Sequence, residues 1–332
     1  MTKEYENEIK TVLDETDFKS EEIFDFTDSP YAEELSKVFD FYKTTLTNNS
    51  SRFNLKKSYI FYLNNRSVNA KAGTTDKYNL ICINAGLMIF LIQNIFEKNE
   101  IHELLHSDYN KIYNFLDNPI HILMYQVALH FTFYHELGHL VQNSESLKSF
   151  IFERPTEVQE YDLKKHKLEF DADTFSATFI SAHIHQYAFK IFGEELTSYQ
   201  VESVIEVFSS SILLYFLSFE AYKDEIYYEE STHPHPIIRI LNVILTISNY
   251  CKNSPRLKEK GIEINHNKIY DLTIRNAIKI ESQIINSTKA KNFNKMLVDN
   301  KVGILTHYKK IIDYKPDDFV SALDRWNETI NK

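Results

Sequence analysis

With 332 residues, the chain suits one large domain, or a catalytic domain with helical additions. An apolar share of 43% and an aromatic share of 14% exclude a disordered chain, and a formal net charge of -10 argues against a dedicated nucleic-acid binder and against attraction to an anionic membrane surface. Glycine (6) and proline (7) are scarce, which favours long helices over a many-stranded sheet.

The opening Met1-Thr2-Lys3-Glu4-Tyr5-Glu6 is acidic and polar, without the apolar run of a secretory signal. Residues 1–55 read as an acidic helical N-terminal segment, with helical spacing over Tyr31–Leu46 behind Ser29-Pro30. Ser58–Leu63 and Tyr78–Asn84 are rich in strand formers, and Asn64-Asn65-Arg66 reads as a turn between them. A helix is expected from about Leu87 to Glu97, then an insertion around Glu97–Asn118.

The clearest helix runs from Pro119 to about Gln142, with Asn118 as its cap and Pro119 in its first turn. Met124, Ala128, Phe131, His135 and His139 follow one another at spacings of three and four, so both histidines continue the inward face. After a loop containing Pro155, a second helix is expected over about Lys165–Ala188. A third covers about Ser198–Tyr222, its stripe running from Val201 to Tyr222, and a fourth runs from Pro236 to about Tyr250. Residues 253–332 read as a helical C-terminal extension around a core of residues 56–252. The two most apolar stretches, Leu80–Phe96 and Phe208–Phe219, fall short of the roughly 20 apolar residues of a membrane span. Cys82 and Cys251 lie far apart in apolar settings and read as buried free thiols of a reducing compartment, a single disulfide being the less motivated alternative. A soluble, cytoplasmic protein is expected.

His135-Glu136-Leu137-Gly138-His139 is an H-E-x-x-H pattern. Residues four apart on a helix share a face, so both imidazoles can reach one ion, and Glu136 can aim at a water on it as general base. A catalytic zinc needs a third ligand and an open position. Gln142 and Glu145 stand where the metzincin continuation requires glycine and histidine, so that class fails. Glu169, thirty residues after His139 on the next helix, supplies the other common solution, and Asp173 one turn later can orient a zinc histidine. Asp171 is expected to point elsewhere, into solvent. In Thr232-His233-Pro234-His235-Pro236, a rigid histidine could donate to an oxyanion, as Arg239 could, or the stretch is simply a capped helix start.

These residues resemble the H-E-x-x-H gluzincins that include the prenyl endopeptidases, the HtpX-like heat-shock proteases and their soluble minigluzincin relatives. The resemblance spans roughly residues 58–250. It is carried by Asn69-Ala70-Lys71-Ala72, Ile81 through Gly86-Leu87, His135–His139, Glu169-x-x-Ala172-Asp173, and Thr232-His233-Pro234 with Arg239. It implies one catalytic Zn2+ at His135, His139 and Glu169, Glu136 as general base, and His233 and Arg239 facing the active site. It also implies substrate binding as an added strand at Asn69 and Ala70. The membrane helices of the prenyl proteases are missing. A looser resemblance is to soluble Lit-type phage-exclusion peptidases, which cut a host translation factor during phage infection. The fold expected is α+β and mostly helical, a zincin-like core with a small mixed or antiparallel sheet and the H-E-x-x-H helix. The function expected is a zinc metalloendopeptidase acting on a protein or peptide, held latent by the N-terminal segment or the insertion. The rivals are a zinc-holding regulatory or interaction module and a metal-free helical scaffold.

Overall fold

The computed structural model describes residues 2–142, 161–219, 225–287, 289, 291–316 and 319–330. The fold is α+β and mostly helical, with one small mixed sheet. Pro155, Glu145 and Tyr222 lie outside the described residues. The chain divides into two compact units, one of residues 1–90, 132–158 and 315–332, the other of residues 91–131 and 159–314.

In the first unit, α1 (Lys3–Glu15) starts where the Thr2 hydroxyl accepts from the Tyr5 N–H, a side-chain N-cap. After it come α2 (Ala32–Arg52), β1 (Lys57–Leu63), β2 (Ala70–Thr74), β3 (Tyr78–Asn84) and the start of α3 (Ala85–Leu91). The strand order is β1-β3-β2, with β3 parallel to β1 and antiparallel to β2. β1 and β3 are buried along almost their whole length, which is why both read as continuous apolar runs rather than alternating ones. α1 and α2 pack on β1. Tyr5, Phe26, Phe39 and Tyr62 form an aromatic cluster there, with Tyr5 centroids 4.7 Å from Phe26 and 4.8 Å from Phe39. Glu8 is buried beside them. It is satisfied by Lys43 Nζ at 2.6 Å and the Ile60 N–H at 3.2 Å.

The Asn64–Asn69 connection is tied to the β3–α3 junction. The Gly86 N–H donates to the Asn65 carbonyl at 2.9 Å, and Asn84 Nδ2 donates to Ser67 Oγ at 2.8 Å. A Cβ on Gly86 would fall 2.0 Å from the Arg66 carbonyl oxygen, so this close approach admits no side chain.

In the second unit the insertion folds as α4 (Asn99–His106) and α5 (Asn110–Tyr113). The long α6 (Ile120–Gln142) follows, residues 120–131 belonging to this unit and residues 132–142 to the first. Its expected cap is corrected. The Asn118 amide turns to Asp117, and His102 Nδ1 accepts from the Ile120 N–H at 3.1 Å. α7 (Leu163–Phe192) is capped by Asp162 and stopped by Gly193 at φ 59°, a left-handed position open to glycine. α8 (Ser198–Ser218) begins with a Thr197/Gln200 capping box, and α9 (Pro236–Asn253) is capped by His235. α10 (Pro255–Glu259), α11 (His266–Ile280) and α12 (Phe293–Asp313) complete this unit, and α13 (Ala322–Ile330) belongs to the first.

α9 packs along α7 and α8, α11 along α8, and α12 against α7 and α9. α8 is mostly apolar and buried from Val201 to Ser218, as a central helix must be, with Glu202 and Glu206 among its buried residues. By length and composition it could cross a membrane, which corrects the expectation that this stretch falls short. Its whole apolar window is buried inside the protein, as in the core helix of a soluble one. Ser176 Oγ donates to the Phe131 carbonyl at 2.9 Å and Ser211 Oγ to the Met124 carbonyl, so small hydroxyl residues let α7 and α8 approach the first half of α6 closely.

Candidate metal centre

His135 and His139 stand one turn apart on α6, both buried. Their rings are 4.7 Å apart at 86°, and their Nε2 atoms face each other at 3.2 Å. His139 Nδ1 lies 3.3 Å from Gln142 Oε1. A carbonyl oxygen can only accept, so Nδ1 is the donor in this contact. Glu136 is 4% exposed, unusual for a carboxylate, and lies near enough to Cys82 to add to burial in pushing that thiol up to about 12. Burial alone takes Cys251 to about 12 as well. Both cysteines are free and buried, as read from the sequence.

Glu169 is on the second turn of α7 and is 3% exposed. Arg239, from the first turn of α9, reaches it with Nη2 at 3.4 Å from Oε2. The same guanidinium takes Asp173 in a two-pronged bond, Nε to Oδ2 at 2.8 Å and Nη2 to Oδ1 at 2.7 Å. The other face of Arg239 lies over the Phe216 ring at 4.3 Å. Burial opposes the charge of Arg239, but Asp173 and then Glu169 outweigh it, so its pKa is raised and it stays cationic. His233 Nε2 is 3.4 Å from Glu169 Oε1, and its ring is 42% exposed. One ligand atom from each of His135, His139 and Glu169 lies within 4.8 Å of the others, and this buried group could hold a metal ion.

The two histidines of the His-Pro-His-Pro stretch divide the two readings of it. His235 is fully buried and caps α9, its Nδ1 accepting from the Ile237 N–H at 3.2 Å. His233 is the exposed one beside Glu169. Asp171, expected in solvent, is instead buried at 9% exposure, because α7 is enclosed on more than one face. Asp173, which the spacing suggests as a partner for a histidine, accepts from Arg239 through both oxygens.

Three groups escaped sequence reasoning. His166, one turn before Glu169, donates Nε2–H to the Ser231 carbonyl at 2.8 Å, and its Nδ1 lies 3.1 Å from His307 Nε2. Burial, partly offset by Ser231, takes His166 down to about 4, so it is neutral at pH 7 and its acceptor nitrogen receives His307. The pair ties α12 to α7 and to the segment leading to His233. Asn242 of α9 adds bonds to the Phe170 carbonyl at 3.2 Å and to Thr174 Oγ1 at 2.9 Å. The spacing of His166 from Glu169 was a usable signal. No local pattern points to His307 or Asn242.

Ala70 opens β2, an edge strand of the sheet, and Asn69 immediately precedes it. Asn69 Oδ1 accepts from the Ala70 N–H at 2.9 Å, and the Asn69 carbonyl accepts from the Asn84 N–H at 3.1 Å, so this corner is fixed to β3.

Comparison with curated proteins and with solved structures gives no match. The family model of Peptidase U49 matches residues 120–254, a span that contains His135, Glu136, His139, Glu169, Asp173, His233 and Arg239, and this similarity implies a peptidase.

Proposed function

We propose that the chain is a zinc-dependent metalloendopeptidase that hydrolyses peptide bonds of a protein substrate in the cytoplasm. The observation that carries this is the facing pair of histidine nitrogens, 3.2 Å apart, with a Glu169 oxygen close by. Two nitrogens bound tetrahedrally at about 2.0–2.1 Å stand roughly 3.3 Å apart, so the pair is already spaced as a zinc chelate. Two imidazole lone pairs at that distance repel unless a proton or cation lies between them. Two imidazoles and one carboxylate are the donor set of a catalytic zinc with a position left open.

His135, His139 and Glu169 would hold the ion. A bound zinc supplies Lewis acidity that brings a water's pKa towards about 7. With such an ion bound, Glu136 would serve as the general base for the attacking water and the acid for the leaving amine nitrogen. His233, exposed enough to meet a substrate, donates to the oxyanion. Arg239 and Asp173 hold Glu169 in place. The β2 edge at Asn69 and Ala70 takes an extended substrate by strand addition.

The Peptidase U49 match, which is to the Lit-type family, also supports a narrower reading. In that reading, which the sequence resemblance to Lit-type peptidases suggests and the match is compatible with, the substrate would be a host factor cut during phage infection. Elemental mass spectrometry on wild type, Glu169→Ala and Glu136→Gln tests the centre. One zinc per chain is expected in wild type and Glu136→Gln, with loss in Glu169→Ala. Glu136→Gln should also lower any peptide cleavage by about 10²–10⁴-fold, whereas an interaction module would work unchanged with Gln. Wild type that takes up no zinc, even on add-back, overturns the proposal.

A further inference from the structure

We infer that Gln142 is a positioning residue of the metal centre, a carboxamide that fixes the tautomer and ring plane of His139. The inference rests on the reading of His135, His139 and Glu169 as metal ligands. Gln142 lies on α6 and is 2% exposed. Side chains on a helix tilt towards its N-terminus, so a residue covers the one three positions before it. The Gln142 side chain therefore lies over His139, with Oε1 3.3 Å from Nδ1.

The bond decides three properties of His139. It keeps the proton on Nδ1, so the Nε2 lone pair faces Nε2 of His135. It stops rotation of the ring away from that direction. It also draws on the Nδ1 proton, which makes Nε2 a better donor to a cation. Histidine ligands almost always have such a partner on the second nitrogen. Burial keeps the Gln142 bond from exchanging with bulk water. Glycine at this position, as the metzincin pattern has it, would leave His139 without this acceptor.

The test is the affinity of the full-length chain for Zn2+, measured by competition with a chromophoric chelator, and the visible spectrum of the Co2+-substituted protein. Gln142→Met keeps the length of the side chain and removes the acceptor. It should weaken Zn2+ binding by about 10–100-fold and alter the cobalt spectrum. Gln142→Glu keeps an acceptor at the same reach and should bind at least as tightly as wild type. Gln142→Met within threefold of wild type, with a superimposable cobalt spectrum, overturns the inference while leaving the metal centre intact. If Gln142→Met does not fold, Gln142→Glu still decides the matter, because a tenfold loss there also overturns it. Wild type that binds no Zn2+ overturns both this inference and the proposed function.

Discussion

Replacing Arg239 by methionine should cost about 3–5 kcal/mol of folding stability. The guanidinium is 3% exposed and faces two carboxylates with almost no access to water, Asp173 at 0% and Glu169 at 3%. It makes two bonds to Asp173 at 2.7 and 2.8 Å and approaches Glu169 at 3.4 Å. Methionine fills a similar volume and keeps contact with Phe216, so the loss comes from leaving two carboxylates buried without a cation. Breaking a buried pair from one side costs roughly 3–5 kcal/mol. Replacing both members together should cost much less, because Arg239→Met with Asp173→Leu buries no orphaned charge at that pair. The coupling in the double-mutant cycle should therefore reach about 2 kcal/mol or more. Urea unfolding followed by circular dichroism, with chelator present so that metal binding adds nothing, gives all four values. A loss below about 1 kcal/mol for Arg239→Met would show that Asp173 and Glu169 do not depend on this cation, and the account of Glu169's positioning would fail with it.

Glu206 of α8 is 3% exposed, and burial raises its carboxyl to about 7, against Lys268 and Tyr109, which lower it. Between pH 4.5, its ordinary value, and about 7, the native chain keeps a proton that the unfolded chain releases, so stability falls as pH rises through that window and levels off above it. Glu206→Gln removes this slope, and the stability of the variant relative to wild type should rise by about 2.5 kcal/mol from pH 5 to pH 8 in urea titrations, an unchanged gap counting against it. Gly86→Ala should destabilise by about 2–4 kcal/mol, since its Cβ meets the backbone oxygen of Arg66, and a thermal unfolding midpoint equal to wild type would refute that contact. Cys82 and Cys251 should stay unreactive to a thiol reagent in native protein and react in denaturant, and fast native labelling would contradict their burial and raised pKa values.

Much of the helical frame was legible because amphipathic period and capping residues act locally. α6 is helical through Gln142, and β3 occupies the expected Tyr78–Asn84. Other ends moved. α2 continues to Arg52 beyond the expected Leu46, through a polar run in which buried Asn49 returns its amide to the Thr45 carbonyl at 2.8 Å. α7 reaches Phe192, since nothing before Gly193 stops it. The cap of α6 was misread because its acceptor, His102, comes from the insertion and not from the adjoining residues.

The sequence by itself determined that His135 and His139 share a helix face, because four residues are close to one helical turn whatever the surroundings. It also determined that His139 has Gln142 within one turn, and that Glu169 and Asp173 share the next helix. Only the tertiary structure decided which groups meet across the chain. Arg239 clasps Asp173 over a separation of 66 residues, and His166 meets His307 over 141. Only packing could assign His235 to a cap and His233 to a place beside Glu169, or bury Asp171. Helical periodicity fixes neighbours within a turn or two. Contacts between distant residues follow from how buried helix faces fit together, and a buried charge finds its partner only once that fit exists.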